Sequence, residues 1–489
     1  MKLSPKLMIF GMLLLTMVPC MLYFIGVDYM LIVVVVTFLI LVIACIQKFN
    51  DNIFFLAFLF SFFIFLVSGD LAEEIFHQYY WIRYDEQSTR HAHFCIWLSL
   101  VFLYIGFKFI GKVTLKTHQE SNSQVLAEQT LDFDLKILSI RKAAKIIYFL
   151  SLPILLIETG YAAVYTLVNG YISYYVSYSS LLPSFISKFQ DLVPIALCVF
   201  LATMPNKKES NSVLITYMIY VILGFLLGQR GTFVYNATFL LAYFIFRNRN
   251  YSDGEIWIKN RTIYIIVAIL PISFAFLFVY EYIRSGTAFT FTSLGDYIIK
   301  FFVNLGQSSQ IIKAGYMYAD KIPKFRFYLL GDTLNYFQYG RIFHFLSTSS
   351  IPSAHSARYA LESHSFDAII SYLTMNSDYL SGHGAGSCYI AVLYADFGYI
   401  GIALGNIIYG VIFAKISSIR ISEGWVKNAL KLFIMLFMFR APRGSFDSFF
   451  AEMINVFFIF GMLLIYSLSS SIKKSISEKN NINSGMIRY

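Results

Sequence analysis

One run of the chain settles what kind of structure it can form. YMLIVVVVTFLILVIACI, residues 29–46, contains no charge and shows no alternation of polar and apolar positions. As a helix rising ~1.5 Å per residue it is long enough to cross ~30 Å of hydrocarbon. The missing alternation excludes a strand of a membrane barrel. Runs of this kind recur along all 489 residues, which are 58% hydrophobic and only 13% charged. A soluble domain carries about a quarter charged residues. The expectation is an all-α polytopic membrane protein, with the lipid bilayer as its solvent.

Twelve spans are predicted, at 7–26, 29–46, 53–68, 95–111, 146–168, 191–205, 212–228, 232–246, 262–282, 388–414, 427–440 and 448–468. MKLSPK before the first span mimics a signal peptide. No small-residue cleavage site follows, so the span reads as an anchor. No internal repeat is visible, which weakens a transporter built from duplicated halves.

Orientation follows from lysine and arginine. With Lys2 and Lys6 in the cytoplasm, the loops holding Lys112 to Lys145, Lys207 and Lys208, Arg247 to Arg261, and Arg420 with Lys427 are also inside, as is the tail with Lys473, Lys474 and Lys479. The alternate loop 69–94, with Asp70, Glu73, Glu74, Asp85 and Glu86, is outside. Both termini are then cytoplasmic. The chain divides into spans one to nine (1–282), a large extracytoplasmic loop (283–387), spans ten to twelve (388–470) and a tail (471–489). That loop is too long to be a passive connector, and short amphipathic helices on the outer face are expected within it. The net charge of +10 sits in short loops between spans, a placement that argues against nucleic acid as a partner.

Four arginines defy the inside bias: Arg230, Arg284, Arg440 and Arg443 all fall at outer ends of spans. A single arginine there can snorkel to lipid phosphates. Four suit a different purpose. GQRG places Arg230 between Gly228 and Gly231, and FRAPRGSFD repeats the device with Arg440 and Arg443 around a proline. Guanidinium forks match phosphate oxygens bidentately and stay charged, so an outward cluster fits a diphosphate near the bilayer surface.

Asp396 is expected about two turns below the outer surface, as a functional group or as a partner for an arginine. Gly398, Gly401, Gly405 and Gly410 read as a helix-packing face. Glu452 at the start of the last span and Glu281 beside Arg284 could each be a general base or a counter-ion. His383, in SGHGAGS, is a further candidate near the Asp396 span. Cys20, Cys45, Cys95, Cys198 and Cys388 read as small core residues. No HxxH or CxxC spacing points to a metal, and no GxxxxGK[ST] points to a nucleotide, so no cofactor is expected. Energy must come from the substrate or from a gradient. Tyr328, Tyr336 and Tyr339 serve either loop packing or stacking on sugars.

GQRGTFVYNATFLLAYF, GSCYIAVLYADFGYIGIALGNIIYG and FRAPRGSFDSFF, in that order, resemble the Wzy-type O-antigen or capsular polysaccharide polymerases. The resemblance implies a GT-C-like polymerase/ligase architecture with about a dozen spans. It implies a metal-independent glycosyltransferase on the outer face of the bacterial plasma membrane, joining repeat units carried on undecaprenyl diphosphate. The growing chain would move from its carrier onto a fresh lipid-linked unit. Arg230, Arg440, Arg443 and Asp396 match the family's basic and acidic positions. Arg284 with Gly295 fits an Arg-x10-Gly pattern that some members carry. A flippase and a chain-length regulator of the same pathway would be partners. Two alternatives stay open: an O-antigen ligase-type transferase, and a flippase or transporter of the lipid-linked glycan.

Overall fold

In the computed structural model the described residues are 29–486, apart from 78–79, 81, 112–129, 251–255, 260, scattered positions between 263 and 278, 281–292, 341–351 and 421–422. Among them all regular structure is helical. The principal helices are α1 (Met30–Ile46), α2 (Asp51–Phe76), α3 (Glu86–Phe109), α4 (Thr130–Asn169), α5 (Leu192–Ala202), α6 (Lys207–Leu226) and α7 (Arg230–Asn250). Then come α8 (Leu294–Leu305), α9 (Ser308–Met317), α10 (Gly331–Tyr339) and α11 (Phe366–Thr374). The chain closes with α12 (Tyr389–Ile416), α13 (Trp425–Met438), α14 (Ser448–Ile454) and α15 (Val456–Met486).

Seven helices among the described residues are long and apolar enough to cross a membrane, and α1 is a shorter apolar one. The predicted span at 7–26 and about half of that at 262–282 lie outside the described residues. Helices α2 and α3 form the centre, with 78% and 72% of their apolar windows buried. In α15 that share is 22%, leaving Ile459, Leu463 and Tyr466 facing outward. This is the gradient expected when lipid, not water, covers the periphery.

Lipid tails are as apolar as leucine, so close packing must hold such helices together. Phe55 stacks on Phe107 with ring centroids 4.1 Å apart, and Phe58 packs on Phe413 at 4.6 Å. Where α12 crosses α3, a Cβ at Gly410 would stand 2.2 Å from the Leu103 carbonyl, and one at Gly106 would stand 2.3 Å from that of Ile407. The crossing is backbone on backbone. The four described cysteines, Cys45, Cys95, Cys198 and Cys388, are buried.

Loops predicted to share a side gather at one end of the bundle. At the basic end Arg141 Nη1 pairs with Glu209 Oε2 at 2.8 Å, and Lys207 Nζ donates to the Ile256 carbonyl at 2.8 Å. At the other, the loop end, α8 to α11 pack on the bundle. A buried ionic cluster docks α9 there. Asp70 Oδ1 accepts from Lys313 Nζ at 3.1 Å, Ser309 Oγ at 2.8 Å and Gln310 Nε2 at 3.4 Å. Its Oδ2 accepts from His93 Nε2 at 2.9 Å. Asp70, His93 and Lys313 are each about 5% exposed or less. The 69–94 acidic loop thus gives up Asp70 to the core.

Three expectations change. The apolar run 388–414 is not one straight span. Gly398 takes φ 59° and ψ −147°, a left-handed conformation that favours glycine, and the chain folds back there. Tyr389 consequently stacks on Tyr409 at 5.2 Å and donates to Asn406 Oδ1 at 2.8 Å, while Leu393 meets Gly405. Asp396 therefore lies at the tip of a helical hairpin, not partway down a span. Of the glycines read as a packing face, Gly410 packs on a neighbouring helix, Gly401 and Gly405 pack within the hairpin, and Gly398 makes the bend. Last, the run 448–468 breaks at Asn455, where ψ is 132°, so Glu452 sits on the separate short helix α14.

Candidate active site

The α6–α7 turn is built for an arginine at its exit. Gly228 adopts φ 102°, which an L side chain resists. Its amide and that of Gln229 close onto the carbonyls of Phe225 and Gly224 at 2.8 and 3.1 Å. The Tyr280 hydroxyl ties the Leu226 carbonyl at 2.6 Å. Arg230 opens α7 directly afterwards. A Cβ at Gly231 would meet only ordinary contacts, so that glycine is not demanded by space.

The second arginine turn follows α13. Its helix ends into a 3-10 turn, Ala441–Arg443, with Pro442 at a position where a missing N–H costs nothing. The Ser61 hydroxyl pins the Phe439 carbonyl at 2.7 Å. The two turns meet. Arg443 Cδ lies 3.7 Å from the Cβ position of Gly231, and Arg440 Cζ lies 5.5 Å from the centre of the Tyr235 ring on α7. The Arg230 turn and the Arg440–Arg443 turn, more than two hundred positions apart in the chain, thus belong to one locality. Arg284, with Glu281, lies outside the described residues; Gly295 is the second residue of α8.

Arg440 lines an open cavity of about 450 Å³ between α4, the 174–191 segment, α5, α6, α7 and α13. That volume is in the range of small-molecule sites. Two carboxylates, Glu158 and Asp191, also line it, and the walls carry Tyr174, Tyr178, Tyr217, Tyr220 and Tyr235 with Gln190, Gln229 and Asn236. Glu158 is tied down: it accepts from Ser180 Oγ at 2.7 Å, the Leu182 amide at 3.0 Å and Tyr178 Oη at 3.3 Å. Asp191 meets Lys188 Nζ at 3.4 Å. Neither carboxylate was among the expected site residues. An acid inside the apolar run 146–168 is the signal for Glu158; Asp191, at the edge of its run, carries none.

The expected bases do not line this cavity. Asp396 accepts the amides of Tyr328 and Leu329 at 3.2 and 2.6 Å, so both its oxygens hold the large loop to α12. His383 is exposed, beside Ser381 Oγ and the Asp378 carbonyl at 3.2 Å each. Glu452 is closer, within electrostatic reach of Arg440 and Asp191.

Beside Arg443 the turn continues into an acidic clasp. Asp447, 2% exposed, caps α10 by accepting the amides of Asp332 and Thr333 at 3.3 and 2.9 Å. Asp332 in return accepts Ser445 Oγ at 3.0 Å and Ser448 Oγ at 2.9 Å. Burial, and then the Asp332 charge, push the Asp447 carboxyl up to about 6. Among the described residues no group of three His, Cys, Asp or Glu side chains is arranged to hold a metal ion.

The family model described as O-antigen polysaccharide polymerase Wzy matches residues 7–475. The chain belongs to the Wzy family. Membership makes it a multi-pass membrane enzyme of glycosyltransferase type that polymerises O-antigen polysaccharide from lipid-linked oligosaccharide. No curated protein and no solved structure matches it. Within this Wzy chain the three quoted sequence motifs supply the α6–α7 turn, the α12 hairpin and the α13–α14 turn. Two of those three build the cavity rim.

Proposed function

We propose that this Wzy chain transfers the growing glycan, held on undecaprenyl diphosphate, onto a fresh lipid-linked repeat unit at the loop end of the bundle. That end faces away from the cytoplasm, by the lysine and arginine bias of the opposite end. One observation carries the proposal: the Arg230 turn and the Arg440–Arg443 turn, remote in sequence, meet at a polar cavity that Arg440 lines.

In this mechanism Arg440, with Arg230 and Arg443, receives the donor diphosphate. Arg284, the fourth outer-end arginine of the sequence, joins them in the clamp. As the bond between the sugar C1 and the diphosphate oxygen breaks, negative charge grows on the leaving group. Fixed guanidinium groups offset that charge without a metal ion, which is electrostatic stabilisation of the transition state. The cavity tyrosines offer ring faces and hydroxyls to sugars. Glu452 serves as a counter-ion that keeps Arg440 oriented when the site is empty. Asp396 and His383 act through the large loop, the first by anchoring it and the second near its surface.

The test is glycan length in cells carrying Arg440→Ala or Arg443→Ala. Loss of polymer with a single repeat unit still displayed is expected. Removing one such donor costs roughly 10²–10³ in rate. Long chains left on the carrier would instead indicate a ligase, units retained inside a flippase, and unchanged chain lengths would remove the clamp.

A further inference from the structure

We propose that Asp191 is the general base of the transfer, taking the proton from the acceptor hydroxyl; this rests on the cavity being the transfer site. Asp191 and Arg440 line the same cavity, and that pairing is what glycosyl transfer with a diphosphate leaving group needs: a cation for the departing oxygen and a carboxylate for the incoming one.

The other acids near the site are occupied. Glu158 is held by three donors, and Asp396 by two backbone amides. Asp447 caps α10, and Glu452 stands outside the cavity lining. Asp191 is different. It lies within the continuous helical run Ser184–Ala202, and its side chain makes no capping bond. Asp191 lines the cavity, and its Oδ2 meets the mostly exposed Lys188 Nζ at 3.4 Å, beyond the length of a strong charge-assisted bond. Gln190, Ser187 and Tyr174 border it and can hold the neighbouring sugar hydroxyls.

The step balances without a co-reactant. The acceptor hydroxyl loses its proton to an Asp191 oxygen as its own oxygen forms a bond to the donor C1. The C1–O bond to the diphosphate breaks, and its electron pair leaves with the lipid diphosphate beside Arg440. The proton then passes from Asp191 to solvent.

The experiment uses the full-length protein in lipid nanodiscs with its lipid-linked repeat unit, following polymer formation across pH. For Asp191→Asn the expected result is a kcat lower by about 10²–10⁴-fold, with retained affinity for the lipid-linked unit. In Asp191→Ala, added formate should restore turnover in proportion to its concentration. Asp191→Glu, which keeps the carboxylate, should stay active with a displaced acid limb of the pH profile. That variant decides the matter if the amide variant does not fold. Wild-type turnover in Asp191→Asn, or an Asp191→Glu profile identical to wild type, overturns the assignment. Arg440→Ala separates the two levels. If it is inactive while Asp191→Asn is active, only the base assignment fails; if both are fully active, the cavity is not the transfer site.

Discussion

Replacing Lys313 by methionine should release the large loop from the bundle. Asp70 receives four side-chain donors, of which Lys313 at 3.1 Å supplies the permanent positive charge. Methionine fills similar volume but leaves a carboxylate buried at about 4% exposure with only His93, Ser309 and Gln310 as partners. Breaking a buried pair from one side costs roughly 3–5 kcal/mol. At 1.36 kcal/mol per decade, local opening of α9 becomes about 10²–10⁴-fold more frequent. Hydrogen exchange of peptides covering 308–317, in detergent or nanodiscs, reads this directly, with α7 as the unaffected reference. Because α9 leads on to the Tyr328–Leu329 anchor and the α10 cap, glycan length should fall too. The double variant Asp70→Asn, Lys313→Met removes both charges and should recover most of the protection. Additive losses in the double variant, or unchanged exchange in the single one, would refute the reasoning.

Asp447 makes the clasp between α10 and the α13–α14 turn pH-dependent. Its folded value near 6 lies above the ordinary 3.8, so the folded state holds the proton more tightly. The associated stability is fully present below pH ~4 and is lost as pH rises through ~6, amounting to about 2–3 kcal/mol. Melting temperature should therefore fall between pH 4 and 7, and Asp447→Asn should flatten that slope; an equal slope in both proteins contradicts the assignment. Gly410→Leu would drive a side chain into the α3 backbone, where even a Cβ finds 2.2 Å. A loss of several kcal/mol is expected, since overpacking costs ~1–3 kcal/mol even where neighbours can shift. Thermal unfolding that matches wild type would show that α12 and α3 can separate cheaply.

Much of the helical layout is legible in hydropathy, because apolar length is a local property. α1, α5, α6 and α7 fall within a few residues of the predicted spans. The α12 fold-back is not legible in that way. A hairpin of two buried helices and one long span have the same composition, and hydropathy counts residues without reading direction. The hint was local: ADFGYIG places Gly398, with Gly401 close behind, between two strongly apolar helical stretches. At the site, residue type could nominate Arg230, Arg440 and Arg443, since cations at outer helix ends are anomalous wherever they stand. It could not pair Asp70 with Lys313, which are 243 positions apart, nor rank Asp191 above Asp396. That ranking depends on which carboxylate oxygens are already bonded, a property of tertiary contact alone.

The bend at Gly398 has a mechanical consequence. Because it threads the first half of α12, onto which the large loop leads, back against Asn406 and Tyr409, with Cys388 and Tyr389 wholly enclosed, the end of that loop next to α12 is a wall and not a lid. It cannot swing clear without unpacking the interior. Under the proposed mechanism, a polymer made beside it would slide along a fixed surface, one repeat at a time, with the rim that carries Arg440 as the stationary point of reference.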